Sequence, residues 1–160
     1  MPELPEVETI RRDLQDLIVG YKITGMETDS AKQVQPSLGL VSAAIQGSTL
    51  IRVDRKAKII LLFLSNGKIL AVHLKLTGRL LVRKKGSPKD EWQHVVIKLK
   101  TQNLKLKTAG QKLKVKDDEN LELRFCDARK FGWIKLLSSL SHLGDLGTYG
   151  PEPLTTGFTL

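Results

Sequence analysis

The chain has 160 residues, 41% hydrophobic and 27% charged, which is long enough for one domain with a buried core. Its single cysteine, Cys126, excludes an internal disulfide and any zinc site built from several cysteines of this chain. Twenty-six Lys and Arg against seventeen Asp and Glu give a net charge of +9, which suits a polyanionic partner such as nucleic acid.

An amphipathic helix is predicted over residues 5–20. The proline and glutamates at its start favour a helix N-terminus, and Gly20 is a stop signal. The apolar stripe expected to face the core is Val7, Ile10, Leu14, Leu17 and Ile18. The polar face expected to point away is Arg11, Arg12, Asp13 and Asp16.

Beyond the helix, short segments rich in β-branched and apolar residues predict strands. They are residues 49–55, 59–64, 69–76, 79–83, 94–100 and 120–126. Asn66-Gly67 predicts a two-residue hairpin turn, and Thr77-Gly78 predicts another tight turn. The expected fold is therefore mainly β, an antiparallel β-sandwich with the N-terminal helix packed against it.

Three regions are less regular. Residues 26–48 are mixed, with a short helix possible over 36–47. Residues 98–116 alternate lysine with leucine or valine, which fits either a hairpin whose lysines prevent edge pairing or a contact with phosphates. The tail 147–160 is rich in Gly and Pro and is typical of a linker.

The first residues could carry chemistry. Removal of Met1 before a proline would leave Pro2 with a free secondary amine, and an α-amino group titrates near pH 8, so a neutral, nucleophilic fraction exists at pH 7. The adjacent Glu3 could move protons. If Met1 is retained, the Pro2 nitrogen is a tertiary amide and cannot attack. The alternative is a helix leader with no chemical role.

Basic and aromatic residues form two further candidate sites. Lys58 follows Arg55 and Lys56 at the entry to an apolar strand that we expect to be buried on both faces. The basic cluster there is either solvated or a phosphate contact. In residues 126–133, CDARKFGW predicts an exposed turn with Phe131 beside two cations. An exposed Phe131 could enter a base stack while the cations meet phosphates or a base edge, and a tucked-in phenylalanine is the alternative. Three widely separated histidines predict no metal site.

PELPEVET, RKAKIILLFL, HLKLTG, DARKFG and YGPEPL, in this order, resemble the N-terminal domain of formamidopyrimidine-DNA glycosylase. Leu4 favours this family over its sister, endonuclease VIII, which tends to begin PEGPE. The resemblance implies an N-terminal sandwich domain over 1–150. Residues 151–160 would begin the linker to a helix-two-turns-helix and zinc-finger half that is absent from this chain, and we expect a domain cut from a longer protein.

The family resemblance implies base-excision repair by a glycosylase with AP lyase activity toward oxidised purines, namely formamidopyrimidines and 8-oxoguanine. Pro2 would be the nucleophile on C1′ and would form a Schiff base. Glu3 would donate the proton for opening of the sugar ring, and Glu6 would be a supporting carboxylate. Lys58 would contact phosphate and assist β-elimination.

DNA contacts are implied at further positions. His73 would contact the DNA backbone, Arg129 and Phe131 would fill and wedge the gap left by the flipped nucleotide, and Lys130 would add a cation. Two positions depart from the family. Leu76 stands where a gap-filling methionine is common, and Trp92 replaces a DNA-contacting histidine of an HxH element whose second histidine, His94, remains.

The partner implied is double-stranded DNA with oxidised bases or abasic sites, and we expect a monomer. No cofactor is expected in this chain, and zinc is expected only in the absent C-terminal half. With no membrane-length apolar run and no signal-like start, we expect no membrane association and a cytoplasmic location. For the 160 residues alone, we expect weak DNA binding and little base excision. The alternatives are an endonuclease VIII-like enzyme for oxidised pyrimidines and a non-catalytic DNA-binding module.

Overall fold

Two β-sheets pack face to face in the computed structural model, which describes residues 4–75, 77–101 and 120–138. The helices are α1 (Leu4–Ile18) and α2 (Leu38–Ile45), and one 3-10 turn spans Ala31–Gln33. The strands are β1 (Lys22–Thr28), β2 (Val34–Gln35), β3 (Leu50–Lys56), β4 (Ile59–Leu64), β5 (Ile69–His73), β6 (Gly78–Lys84), β7 (Gln93–Lys100), β8 (Asn120–Asp127) and β9 (Trp133–Leu137). The described part contains no helix that is long and apolar enough to cross a bilayer.

The sheets have strand orders β1-β7-β8-β6 and β2-β9-β5-β4-β3. All pairings are antiparallel except the short pair of β2 with β9, which is parallel. Inward-facing residues of both sheets form the main core, for example Ile97 and Leu123 from one sheet and Leu62 and Leu70 from the other. The expected antiparallel sandwich with a leading helix is thus confirmed, with one parallel pair added.

β4 is buried along its whole length. Ile60 and Leu62 face the main core, whereas Ile59, Leu61 and Phe63 belong to a second apolar cluster on the opposite face of the sheet. Full burial of such a side chain stabilises the fold by about 1.5–3 kcal/mol. The prediction of an apolar strand buried on both faces is confirmed.

Each helix lies across an opening between the two sheets. α1 contacts β3 and β6, which are edge strands of different sheets, and α2 contacts the edge strands β1 and β2. The buried residues of α1 are Val7, Leu14 and Ile18, whereas Leu17 is 49% exposed and does not belong to the apolar stripe. The short helix expected within 36–47 is confirmed, and the Ser37 side chain caps it by accepting from the Leu40 N–H.

The polar face of α1 is not wholly directed to solvent. Arg11 Nη1 donates to the Val53 carbonyl at 3.2 Å, and Gln15 Oε1 accepts from the Val53 N–H at 2.9 Å. Val53 lies on the edge strand β3, so two side chains of α1 satisfy backbone groups that no strand pairs with. The expectation that Arg11 points away from the protein was wrong, because the nearby sheet edge offers its guanidinium an acceptor.

Several local predictions need correction. The sequence pattern missed β1, β2 and β9, and the strand predicted over 69–76 ends at His73 because Lys75 has a positive φ of 57°. The hairpin at Asn66-Gly67 is present, but its connection runs over residues 65–68 rather than two residues. The lysine-rich segment beyond Thr101 and the predicted linker lie outside the described residues.

Candidate DNA-facing active site

Four connections meet at one end of the sandwich. Ile59 pairs with His73, and His73 pairs with Trp133, so the ends of β4, β5 and β9 are aligned. Gly78 pairs with Asp127 in the other sheet. We call this region the loop end, and its described residues are 56–59, 73–75, 77–78, 91–94 and 127–133.

α1 begins at the loop end. Its C-terminal side is fixed at the far end of β3, where the Gly20 N–H donates to the Leu50 carbonyl at 2.8 Å. Near its start, Glu8 pairs with Arg55, close to the other end of β3. The helix therefore runs antiparallel to β3, and Leu4 lies at the loop end. Pro2 and Glu3, which precede Leu4, lie outside the described residues, so their roles stay predictions.

Asp127 ties two of the connections together. Its carboxylate is fully buried and accepts from the Gly132 N–H at 2.7 Å, from Gln33 Nε2 at 3.2 Å and from the Thr77 hydroxyl. The Arg129 N–H also lies within hydrogen-bond distance of this carboxylate and of Thr77 Oγ1. One carboxylate thus joins the β5–β6 connection to the β8–β9 connection.

Neither Asp127 nor Thr77 was a candidate from the sequence. The available signal was an aspartate two residues before Arg129 in a turn, because such side chains commonly accept from backbone N–H groups two residues later. Gly132 has its own constraint, since a Cβ there would lie 2.7 Å from both the His73 carbonyl oxygen and the Phe125 ring. Only glycine lets the β8–β9 connection approach β5 this closely.

The β8–β9 connection carries exposed cations and an aromatic ring, as predicted. Arg129, Lys130 and Phe131 are exposed, and Phe131 has 55% of its surface accessible. The Arg129 guanidinium lies 5.7 Å from the centroid of the Phe131 ring, within cation–π range. The alternative of a tucked-in phenylalanine is excluded, while the DNA contacts of these side chains stay predictions.

Trp92 and His94 differ in their exposure. Trp92 is 50% exposed and has a φ of +62°. Its carbonyl oxygen accepts a hydrogen bond from the Asp127 N–H at 2.9 Å. The His94 ring pairs with Asp29 at 2.8 Å, and this hydrogen bond is the main reason that the pKa of Asp29 is lowered. The indole is thus available at the loop end, whereas His94 is engaged with Asp29.

Lys58 and His73 lie on adjacent strand ends with different exposure. Lys58 is half-buried in the β3–β4 turn, and His73 is only 3% exposed. The His73 ring packs against Trp133 at 5.4 Å between centroids, and its Nδ1 accepts from the Lys75 N–H at 3.1 Å. Burial, followed by the charges of Lys75 and Lys58, lowers the pKa of His73 to about 4. A contact of His73 with phosphate would therefore be made by a neutral ring at pH 7.

The remaining predicted site residues are Glu6 and Leu76. Glu6 is exposed in the first turn of α1, at the loop end. Leu76 lies outside the described residues, between Lys75 and Thr77, whose positions are described. Over residues 4–75, 77–101 and 120–138, no three His, Cys, Asp or Glu side chains cluster closely enough to hold a metal ion.

Stability should fall as the pH is lowered from 6.5 to 4, because the unfolded chain protonates His73 before the folded chain does. The lowered pKa corresponds to about 3 kcal/mol lost across this window. We expect His73→Asn to remove most of this slope, since asparagine can accept from the Lys75 N–H but does not titrate. Urea unfolding at several pH values measures how the free energy of unfolding changes with pH. Equal slopes of this free energy against pH in both proteins would contradict the prediction.

Comparisons with known proteins show the family of this chain. The family model described as the formamidopyrimidine-DNA glycosylase N-terminal domain matches residues 1–134. The formamidopyrimidine-DNA glycosylase of Pelotomaculum thermopropionicum is 36% identical over 162 residues, which cover 99% of this chain and 52% of the relative. That of Herpetosiphon aurantiacus is also 36% identical and is covered to 53%. The chain thus spans about half the length of the curated relatives it matches.

Solved structures share the fold of this chain. A Lactococcus lactis FPG (MutM) in complex with DNA containing FAPY-dG matches with a TM-score of 0.72 and 26% identity over 90% of this chain and 47% of that chain. A MutM in complex with DNA containing carbocyclic 8-oxo-G matches with a TM-score of 0.73 and 26% identity over 91% of this chain and 48% of that chain. Fold, motif order and sequence identity agree, so the chain belongs to the formamidopyrimidine-DNA glycosylase family and spans its N-terminal domain.

Proposed function

We propose that this chain is the catalytic-side domain of a DNA glycosylase with AP lyase activity, which removes formamidopyrimidines and 8-oxoguanine from double-stranded DNA. The main supporting observation is the convergence at the loop end of the start of α1, the turn with Lys58 and the exposed segment Arg129–Phe131. The net charge of +9 is consistent with a DNA partner. Relatives of known structure are bound to DNA with FAPY-dG, 8-oxo-G analogues or abasic sites.

The proposed first step uses the amine of Pro2. Its nitrogen bonds to C1′ of the damaged nucleotide as the bond from C1′ to the base breaks. The base leaves with the electron pair and takes up a proton, and the attacking amine gives up its N–H proton. Glu3 supplies a proton to the ring oxygen O4′ as the sugar ring opens. The product is an iminium between the Pro2 nitrogen and C1′, which borohydride reduces to a stable adduct.

The AP lyase step follows from the iminium. Loss of a proton from C2′ expels the 3′ phosphate, and the Lys58 ammonium would contact phosphate during this β-elimination. Lys58 suits this role because its turn joins β3 to the fully buried strand β4, which gives it a rigid support.

Extruding a nucleotide leaves a gap in the duplex. The exposed Phe131 ring with the Arg129 guanidinium would occupy this gap, together with Leu76. Unstacking a base costs a few kcal/mol, which such side chains help to offset. Trp92, Lys130 and His73 would contact the adjoining DNA.

The test is borohydride trapping on duplex DNA with a preformed abasic site, which requires no base excision. We expect a covalent adduct, and intact mass with peptide mapping should place it on the Pro2 amine. No adduct from a chain whose mass proves that Met1 is absent would overturn the catalytic proposal for this domain. Salt-dependent DNA binding without an adduct would then favour a non-catalytic binding module.

The preferred lesion is tested separately, on a protein that carries both halves of the enzyme. Excision of 8-oxoguanine and formamidopyrimidines in preference to oxidised pyrimidines would support the proposal. The opposite preference would favour an endonuclease VIII-like enzyme.

A further inference from the structure

Glu8 belongs to an ion-pair network that the proposed reaction does not use. As a carboxylate in the first turns of α1, it would be expected to act on the helix alone. Instead Glu8 Oε1 accepts from Arg55 Nε, on β3, at 2.9 Å, and Glu8 Oε2 accepts from Arg11 Nη2 at 2.8 Å. The side chains of Glu8 and Arg55 are only 27% and 22% exposed, so the pair is partly shielded from water.

Arg55 also reaches the turn that carries Lys58. Its Nη1 donates to the Ala57 carbonyl at 3.1 Å. Ala57 has a φ of +53°, a left-handed conformation that is uncommon for residues other than glycine. One planar guanidinium therefore bridges a carboxylate of α1 and the backbone of a strained turn, immediately before Lys58.

This bridge connects the two elements on which the proposed chemistry depends. α1 leads back to the N-terminus, and the β3–β4 turn presents Lys58. The two groups must act on the same sugar and phosphate, and a misplacement of about 1 Å can reduce a rate by about a hundred-fold.

We propose that the Glu8–Arg55 pair is a positioning device that holds the Lys58 turn in fixed register with the start of α1. Its consequence for the reaction rests on the proposed function, whereas its consequence for the geometry of the turn does not.

The protonation state of Glu8 is consistent with this role. Hydrogen bonds from Arg11 contribute most to lowering the pKa of Glu8 to about 2, burial opposes them, and the Arg55 hydrogen bond lowers it further. Glu8 is thus ionised throughout the neutral range, and the bridge persists at any pH at which the enzyme would act.

Three variants of this chain test the proposal. Arg55→Gln removes the bridge. Arg55→Lys keeps a cation for Glu8 but lacks the planar fork that also reaches Ala57. The matched control is Arg12→Gln, since Arg12 also pairs with Glu8, at 3.2 Å, but its side chain is 71% exposed. Both glutamine variants lose one positive charge.

The first readout needs no DNA. Residual dipolar couplings of the amides at 56–59 report the orientation of the turn relative to α1. We expect Arg55→Gln and Arg55→Lys to change these couplings and Arg12→Gln to leave them unchanged. Unchanged couplings in Arg55→Gln would overturn the proposal.

The second readout is the single-turnover rate of adduct formation and strand cleavage on abasic DNA. Relative to Arg12→Gln, we expect Arg55→Gln to be slower by about ten-fold to a hundred-fold, with a DNA affinity within about two-fold. Arg55→Lys should recover thermal stability but not the rate. Recovery of both together would mean that the pair only stabilises the fold. If the unaltered chain forms no adduct, the proposed function fails, and the couplings alone decide whether the pair positions the turn.

Discussion

Asp127→Ala should lower the free energy of unfolding by about 3–5 kcal/mol, because it leaves several buried donors without their acceptor. The buried Gly132 N–H and Gln33 amide and the partly buried Thr77 hydroxyl donate to this carboxylate, and each unsatisfied buried group costs about 1–3 kcal/mol. Urea unfolding monitored by tryptophan fluorescence measures the loss. Asp13→Ala, in the exposed part of α1, should change stability by less than about 0.5 kcal/mol.

Asp127→Asn separates the effect of lost hydrogen bonds on stability from the effect of lost side-chain volume. Asparagine has nearly the same size, but its NH2 group would meet one of the donors from which the carboxylate oxygens accept. We therefore expect a loss of stability between zero and that of Asp127→Ala. DNA affinity should fall with stability in both variants, since the segment with Arg129 and Phe131 loses its anchor. A loss below about 1 kcal/mol in Asp127→Ala would show that the loop end is held by other contacts.

Blocking the Pro2 nitrogen should abolish borohydride-trapped adducts. A chain that retains Met1 has a tertiary amide at this nitrogen, which cannot attack C1′, and loss of a nucleophile typically lowers enzyme rates by about 10³-fold or more. The comparison requires two preparations of the same sequence, with and without Met1, distinguished by intact mass. Trapping on abasic DNA then measures the difference.

Both preparations should unfold at the same urea concentration, since Met1 precedes the first described helix. This equality is the control for intact folding. An adduct of equal yield in the blocked chain, mapped to a lysine such as Lys58, would show that a side-chain amine rather than Pro2 is the nucleophile.

The regular parts of the fold could be predicted from the sequence because their patterns are local. The 3.6-residue period of α1 and the apolar run of β4 correspond to buried faces in the structure. β1 was missed because Gly25 interrupts its pattern, at the point where its pairing with β7 shifts register. β2 has two residues and pairs with β9 about a hundred residues away, and β9 pairs with β5 about sixty residues away. No local signal specifies such distant pairings.

The candidate site was predicted by a different route. Spacing alone left Lys58 and Phe131 with two interpretations each, and the family resemblance gave them roles. The exposure of Phe131 then followed from the turn-forming residues around it. The distant partners of Asp127 and Glu8, such as Gln33 and Arg55, were not predictable, because they come from segments far away in the chain.

The docking of α1 on the sheet edge has a consequence for association between molecules. An exposed edge strand can recruit a strand from another chain, which is a common route to aggregation. At the middle of β3, both backbone groups of Val53 are already bound by Arg11 and Gln15. The helix that follows the N-terminal residues thus also protects this sheet edge from intermolecular strand addition. Substitutions that loosen α1 would therefore disturb both the geometry of the proposed active site and the solution behaviour of the protein.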